Sequence, residues 1–338
     1  MKLPLGILII VVIAIVGYFG WQYQKEGQIK SPSITFQEKE QPLDRYSFNA
    51  LSSRDFEPSE IELGDVIEDN ADFTSRLFFF TAGAKRVSGL INIPKGDVVH
   101  PVIVMYRGYV DREAYTTGTG TQRAAEVYAR SGFVTLAPDF LGYGSSDKQT
   151  ENEMEERFQT YTTAITLLKS VENLNKTFIS NNIFAQVDPA KVGIWGHSNG
   201  GQIAISTLEI IGESIPTVLW APVTKPFPYS ILYYTDEFDD RGKYLRKVIA
   251  EFEKDYDVDK YSIEKFYDQI NAPIQVYQGS SDDSVPQKWS DEFVATMKEL
   301  KKDIEYIVYS GADHNLLPNG WNNAVSEGME FYRAKFGL

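Results

Sequence analysis

The stretch VGIWGHSNGGQIAI, residues 192–205, decides the fold. Its opening residues Val192–Trp195 are β-type, and from Gln202 to about Ile211 apolar residues recur at helical spacing. Between them Gly196-His197-Ser198-Asn199-Gly200 has the form G-x-S-x-G, which carries meaning only on a strand-to-helix turn. That context is met here. A serine in such a turn occupies strained backbone that pushes its hydroxyl out of the sheet, and the flanking glycines let strand and helix pass closely. Ser198 is the candidate nucleophile.

Working outward, strands and helices alternate. Strands are expected at Val102–Tyr106, Phe133–Ala137, Val218–Trp220, Ile274–Tyr277 and Ile304–Val308. Helices are expected at Thr121–Arg130, about Glu153–Val171, Pro286–Lys301 and Gly320–Lys335. This rhythm implies an α/β fold with a mostly parallel sheet covered on both faces. Ile61–Ile67, Thr74–Thr81 and Arg86–Ile93 read instead as an antiparallel meander at one edge. Pro222–Gln269 interrupts the alternation with aromatic, charged, helical sequence, and is expected to form a lid (about 222–270) over the carboxyl ends of the strands. Its Tyr229, Tyr233, Tyr234 and Tyr244 are expected in the core of that lid rather than lining the acyl pocket, although both can hold. Thr116–Thr121 reads as a mobile loop.

A serine hydroxyl needs a base to take its proton, and the base needs an acid to hold its tautomer. The chain has three histidines. His197 adjoins the serine, so its side chain is expected to point elsewhere. His100 precedes the strand Val102–Tyr106 on the side away from the site. His314 follows the strand Ile304–Val308, at a carboxyl end where active sites of such sheets lie, and is the candidate base. The acid is expected after another strand, between serine and base in sequence. There Gly279-Ser280-Ser281-Asp282-Asp283-Ser284-Val285-Pro286 offers Asp282 and Asp283, of which only one can face the imidazole. An oxyanion hole needs two backbone donors. The amides of Asn199 and of Tyr109, the latter in the loop after Val102–Tyr106, are the candidates; Arg107 either braces that loop or lines the pocket.

These residues resemble the α/β-hydrolase superfamily, and within it the prolyl oligopeptidase catalytic domain with its dienelactone-hydrolase and acyl-esterase relatives. The segments that carry the resemblance are RVSGLINIPKG (86–96), FVTLAPDFLGYGSSD (133–147), VDPAKVGIWGHSNGG (187–201), INAPIQVYQGSSDDSVP (270–286) and GADH (311–314). They run from about residue 75 to the end of the sequence. The resemblance implies that Asp282, the first aspartate of the G-x-x-D-D-x-V-P pattern, completes a triad with Ser198 and His314. Where many relatives have His-Gly-Gly before the oxyanion amide, this chain has Arg107-Gly108-Tyr109. The large propeller of the prolyl oligopeptidases has no counterpart in the roughly 70 residues before the body. The expected activity is therefore that of a carboxylesterase-like serine hydrolase acting through an acyl-enzyme. Hydrolysis of short peptides is the alternative, and a catalytically silent, membrane-tethered binding module is the alternative of another class.

The remaining features bound the surroundings. Leu3–Trp21 is an uncharged run of 19 residues, which as a helix spans about 28 Å, close to a hydrocarbon core of about 30 Å. Residues 1–22 are read as an uncleaved transmembrane anchor, 23–44 as a polar tether and 45–338 as the α/β-hydrolase domain, placed outside the cytoplasm. Net charge is −14, from 47 acidic against 33 basic residues, which opposes nucleic-acid binding. The absence of cysteine excludes disulfides, thiolate metal sites and a cysteine nucleophile. No dinucleotide, Walker A, HExxH or EF-hand pattern occurs, so neither cofactor nor metal is expected. The acidic run Asp236, Glu237, Asp239, Asp240 reads as a solvated face.

Overall fold

The computed structural model describes residues 41–338, which form one compact unit. The expected anchor and the tether up to residue 40 lie outside the described residues. Among the described residues, no helix is long and apolar enough to cross a membrane. The end of the expected tether belongs to the body: Leu43 is buried, its N–H donates to the Tyr256 hydroxyl (3.2 Å), and its carbonyl accepts from Tyr261 (3.1 Å).

The strands are β1 (Glu62–Asp69), β2 (Phe73–Ala82), β3 (Lys85–Pro94), β4 (Val99–Tyr106), β5 (Val134–Pro138), β6 (Gln186–His197), β7 (Thr217–Trp220), β8 (Ile274–Gly279) and β9 (Ile304–Tyr309). They form one sheet in the order β1-β2-β3-β5-β4-β6-β7-β8-β9. The first three are the expected meander, each antiparallel to its neighbour, with β3 antiparallel to β5; from β5 to β9 all neighbours are parallel. The sequence explains this division. β7 and β8 are buried at every position, as apolar parallel strands covered on both faces must be. The edge strand β1 instead exposes Glu62, Asp65 and Asp69, charges that discourage pairing with another chain.

Helices follow in chain order: α1 (Phe48–Ser52), α2 (Gln122–Arg130), α3 (Glu153–Ser170), α4 (Leu174–Ser180), α5 (Asn199–Ile211), α6 (Tyr229–Leu232), α7 (Lys243–Phe252), α8 (Gln287–Glu299) and α9 (Trp321–Phe336). On one face of the sheet, α2 and α9 bury Tyr128, Val325 and Tyr332 against Ile103, Trp195 and Val218. On the other, α3 and α5 bury Phe158, Ile165, Ile205 and Leu208 against Val104, Ile194 and Val276. α3 begins where Asn152 caps it, its Oδ1 accepting from the N–H groups of Met154 (3.1 Å) and Glu155 (3.0 Å). The chain leaves β4 for β5 on one side and returns across β4 to β6 on the other. The carboxyl ends of β4 and β6 therefore flank a topological switch point, where ligands of such sheets bind.

Some local expectations change. β6 starts at Gln186 rather than Val192, because a register shift between His100 and Val102 accommodates the extra residues around Pro189 without breaking the pairing with β4. α5 starts at Asn199, immediately after the serine, and α4 was not foreseen. Thr116–Thr121 is not loose: it is a turn whose Thr117 hydroxyl donates to the buried Asp139 carboxylate at 2.9 Å.

α5 also buries a carboxyl group. Glu209 is 1% exposed, and neither of its oxygens has a hydrogen-bond partner. Burial, reinforced by the charges of Glu264 and Asp268, raises its pKa well above the ordinary carboxylate value. A raised acid binds its proton more tightly in the folded than in the unfolded chain, so stability falls as pH rises from the unfolded value of about 4.3 towards the folded one. Glu209→Met should raise the denaturant midpoint, with a gain larger at pH 8 than at pH 5. Urea unfolding at both pH values checks the direction.

Candidate active site

The site is built at the carboxyl ends of β4, β6, β8 and β9. Ser198 stands between β6 and α5 with φ 57° and ψ −122°, the strained turn that its motif requires. Its N–H donates to the Trp220 carbonyl (2.9 Å), and its own carbonyl accepts from Gly201 (2.9 Å) and Val223 (3.0 Å). A Cβ on Gly200 would lie 2.0 Å from the Tyr106 carbonyl oxygen, so only glycine lets α5 cross β4 this closely.

The loops after β8 and β9 bring Asp282 and His314 together. His314 Nδ1 lies 2.9 Å from Asp282 Oδ2. A carboxylate only accepts, so Nδ1 of the neutral ring carries the proton and Nε2 is left as the basic nitrogen. Asp282 Oδ1 accepts from the N–H groups of Ser284 (2.9 Å) and Val285 (2.8 Å), and its side chain has no exposed surface. Burial alone would raise its pKa; the His314 hydrogen bond and charge, with the two backbone donors, hold it below the ordinary value. Asp283 is exposed, its carboxylate accepting from the neighbouring Ser284 hydroxyl (3.3 Å). The imidazole thus faces Asp282. No hydrogen bond joins the Ser198 hydroxyl to His314 among the described residues.

The candidate oxyanion loop lies against the serine. A Cβ on Gly108 would stand 3.0 Å from Ser198 Cβ, which brings the peptide that ends at the Tyr109 amide close to the hydroxyl. Asn199 opens α5 directly beyond. Arg107 both braces this loop and lines the pocket. It is 6% exposed and donates to the carbonyls of Gly108 and Asp139, each at 2.9 Å. Its guanidinium lies 4.0 Å from the ring centroid of Tyr143 and 4.6 Å from that of Tyr115. Asp139 in turn accepts from the hydroxyls of Tyr115 (2.6 Å) and Ser88 (2.5 Å).

A cavity of about 560 Å³ opens beside Asn199 and Tyr109. Phe140, Leu141, Met154, Tyr161 and Ile203 give it apolar walls, and Arg112, Glu153 and Glu156 charge its rim. The segment between β7 and β8 supplies Ile231, Phe238, Asp240, Tyr244 and Leu245. Of its tyrosines, Tyr229, Tyr233 and Tyr244 are 47%, 40% and 61% exposed rather than lid core, Tyr244 lines the cavity, and Tyr234 is half-buried beside Val223, Val285 and Trp289. α6 is a single turn that ends at Leu232, and Tyr229, Tyr233 and Tyr234 gather around Trp289 of α8. Asp240 caps α7, accepting from the N–H groups of Gly242 and Tyr244 at 2.8 Å each. Among the described residues no cluster could hold a metal ion.

His100 is buried in β4, Nδ1 2.8 Å from the Gly132 carbonyl, remote from the site. His197 is directed at His314, a partner not foreseen: its Nε2 lies 3.0 Å from the His314 carbonyl oxygen. Sequence reasoning also missed Gln278 of β8, which is fully buried. Its Nε2 donates to Asp282 Oδ2 (3.0 Å), and its Oε1 accepts from Ser290 (2.8 Å). No spacing rule marks such residues, because each acts on a partner brought close only by the fold.

The double role of Arg107 is testable. Arg107→Lys keeps the charge but loses the planar fork and its stacking. It should cost about 1.5–3 kcal/mol of stability, read from urea unfolding.

Comparison with known proteins gives the family and the fold. The model of the prolyl oligopeptidase family matches residues 121–338, more than half of the chain. The "Uncharacterized peptidase YtmA" of Bacillus subtilis (strain 168) is 24% identical over 245 residues, 71% of this chain and 85% of that protein. The acetyl xylan esterase from Paenibacillus sp. R4 superposes with a TM-score of 0.59 at 17% identity, covering 85% of this chain and 92% of the esterase. The acylaminoacyl peptidase of Pyrococcus horikoshii superposes with a TM-score of 0.56 at 16% identity, covering 78% of this chain and 41% of the peptidase. The chain belongs to the prolyl oligopeptidase family of serine hydrolases and has the α/β-hydrolase fold.

Proposed function

We propose that this protein hydrolyses small acyl esters through an acyl-enzyme, with Ser198 as nucleophile, His314 as general base and Asp282 as its orienting acid. The observation that carries the reading is the 2.9 Å Asp282–His314 hydrogen bond beside the strained turn of Ser198. Ser198 Oγ attacks the acyl carbonyl carbon while His314 Nε2 takes its proton. The negative charge that develops on the carbonyl oxygen is held by the amides of Tyr109 and Asn199. His314 returns the proton to the leaving alkoxide. Water then enters, gives a proton to the same nitrogen and attacks the acyl-enzyme, releasing the carboxylic acid and Ser198. Asp282, held below its ordinary pKa, keeps its charge throughout and stabilises the imidazolium.

The preference for esters rests on coverage: this chain spans 92% of the acetyl xylan esterase but 41% of the acylaminoacyl peptidase. Cleavage of short peptides is the second reading, favoured by the match to 85% of a protein named as a peptidase. The helices between β7 and β8 act as a lid that sizes the acyl pocket, and Leu3–Trp21 anchors the body to a membrane with the site outside the cytoplasm. That last part is read by fractionating the full chain beside one starting at Gln28.

A fluorophosphonate should label the wild-type protein and not Ser198→Ala. Asp282→Asn should lower kcat by about 10⁴-fold while the fold is retained. With p-nitrophenyl esters of increasing acyl length, activity should pass through a maximum, and Ile231→Trp should move that maximum to shorter chains. Faster turnover of matched peptide anilides than of the esters would favour the peptidase reading. A folded wild-type protein that takes no label would leave a binding module.

A further inference from the structure

We infer that His197 is a positioning residue for His314, acting through a hydrogen bond to the backbone of the catalytic base. The inference rests on the reading of Ser198 and His314 as catalytic. His197 is the last residue of β6, so its backbone is held by pairing with Trp220 of β7, one residue before the serine. Its Nε2 lies 3.0 Å from the carbonyl oxygen of His314, which lies in the loop beyond β9 at the far edge of the sheet. A carbonyl only accepts, so His197 must carry its proton on Nε2. The two imidazoles pack with centroids 4.7 Å apart and planes inclined at 35°, and Trp195 lies 6.1 Å away on the strand side.

This contact solves a problem of distance. Serine and base sit on elements separated by β7 and β8, and Asp282 fixes only the Nδ1 side of His314. A bond from the residue beside the nucleophile to the main chain of the base ties the two ends of the proton path to one reference. A positional error of about 1 Å in such a pair can cost on the order of 100-fold in rate. Burial, and then the neighbouring charge of His314, lower the pKa of His197 to about 4, so at neutral pH it remains an uncharged donor beside a ring that becomes positive during turnover.

The donor and the ring are separable by substitution. His197→Phe keeps an aromatic ring without the N–H. His197→Gln places an amide N–H near the position of Nε2, and His197→Asn carries an amide too short to reach it. The three variants and the wild type are compared by fluorophosphonate labelling rate and by kcat and KM on the best ester, with thermal unfolding recorded for each. His197→Phe and His197→Asn should lose about 10- to 100-fold in kcat and in labelling rate, with KM within about 2-fold. His197→Gln should recover most of that loss. The low-field proton resonance of His314 Nδ1 should shift in the Phe and Asn variants and return in the Gln variant. If Phe fails to fold, the Asn–Gln pair still decides. Equal activity in Gln and Asn, or a folded Phe variant as active as the wild type, overturns the inference. A wild type that takes no label overturns the reading of the site, and the inference with it.

Discussion

The backbone of Ser198 is the constraint on which the rest depends. A residue with a side chain at φ 57° and ψ −122° stores about 1–3 kcal/mol, and such strain persists only where neighbours over-determine it. Here β7 does so through the Trp220 carbonyl, the following loop through Val223, and β4 through the wedge of Gly200 against Tyr106. Each of these needs its strand in register: Tyr106 opposite Gly196, and Trp220 opposite His197. The sheet is thus a jig for one turn. Beside that turn β7 and β8 are buried at every position and β4 from His100 onward, whereas β9 and β1 at the edges have exposed positions.

The other half of the site is held by loops, which must supply their own order. The loops after β8 and β9 are stitched to each other: Ser281 donates to the Ala312 carbonyl (2.9 Å), and Gly311 donates to the Ser280 hydroxyl (2.9 Å). Asp313, beside His314, folds its loop by accepting from the N–H groups of Asn315 and Leu317, each at 2.8 Å. Asp282 and His314 therefore meet through a local framework that does not involve the serine turn. The two halves share few direct bonds, which is why a single contact from His197 carries weight beyond its own energy of about 1 kcal/mol.

What the sequence revealed follows from how each feature is encoded. Strand and helix rhythm, the G-x-S-x-G turn and the positions of His314 and Asp282 at strand ends depend on local pattern, and the structure has these residues at the ends expected. The choice of Asp282 over Asp283 needed a resemblance, because adjacent residues in a turn differ only in direction. Arg107 with Tyr115, Tyr143 and Asp139 could not be assembled from spacing, since Tyr115 comes from the loop after β4 and Asp139 and Tyr143 from the loop after β5. The tyrosines between β7 and β8 divide between two environments for another reason. Aromatic density in a helical segment suggests a core, and Phe227, Phe252, Tyr261 and Tyr267 do join the main one, whereas Tyr229, Tyr233 and Tyr234 gather around Trp289 of α8 and Tyr244 lines the cavity.

The segment between β7 and β8 is rooted beside the Ser198 turn. Val223 donates to the Ser198 carbonyl, the Thr224 hydroxyl donates to the Trp289 carbonyl (2.9 Å), and Tyr267 donates back to the Thr224 carbonyl (3.1 Å). Ser262 joins the two arms by accepting from the Phe227 N–H (2.8 Å) and donating to the Phe227 carbonyl (3.2 Å). Between these roots the segment presents exposed Tyr229, Phe238 and Tyr244. Substitutions in that middle can reshape the cavity wall without reaching the bonds that hold Ser198, so pocket shape can vary while the turn stays fixed. A change at Thr224 or Ser262 has no such freedom, because it loosens the wall and the loop that accepts the strain of the turn together.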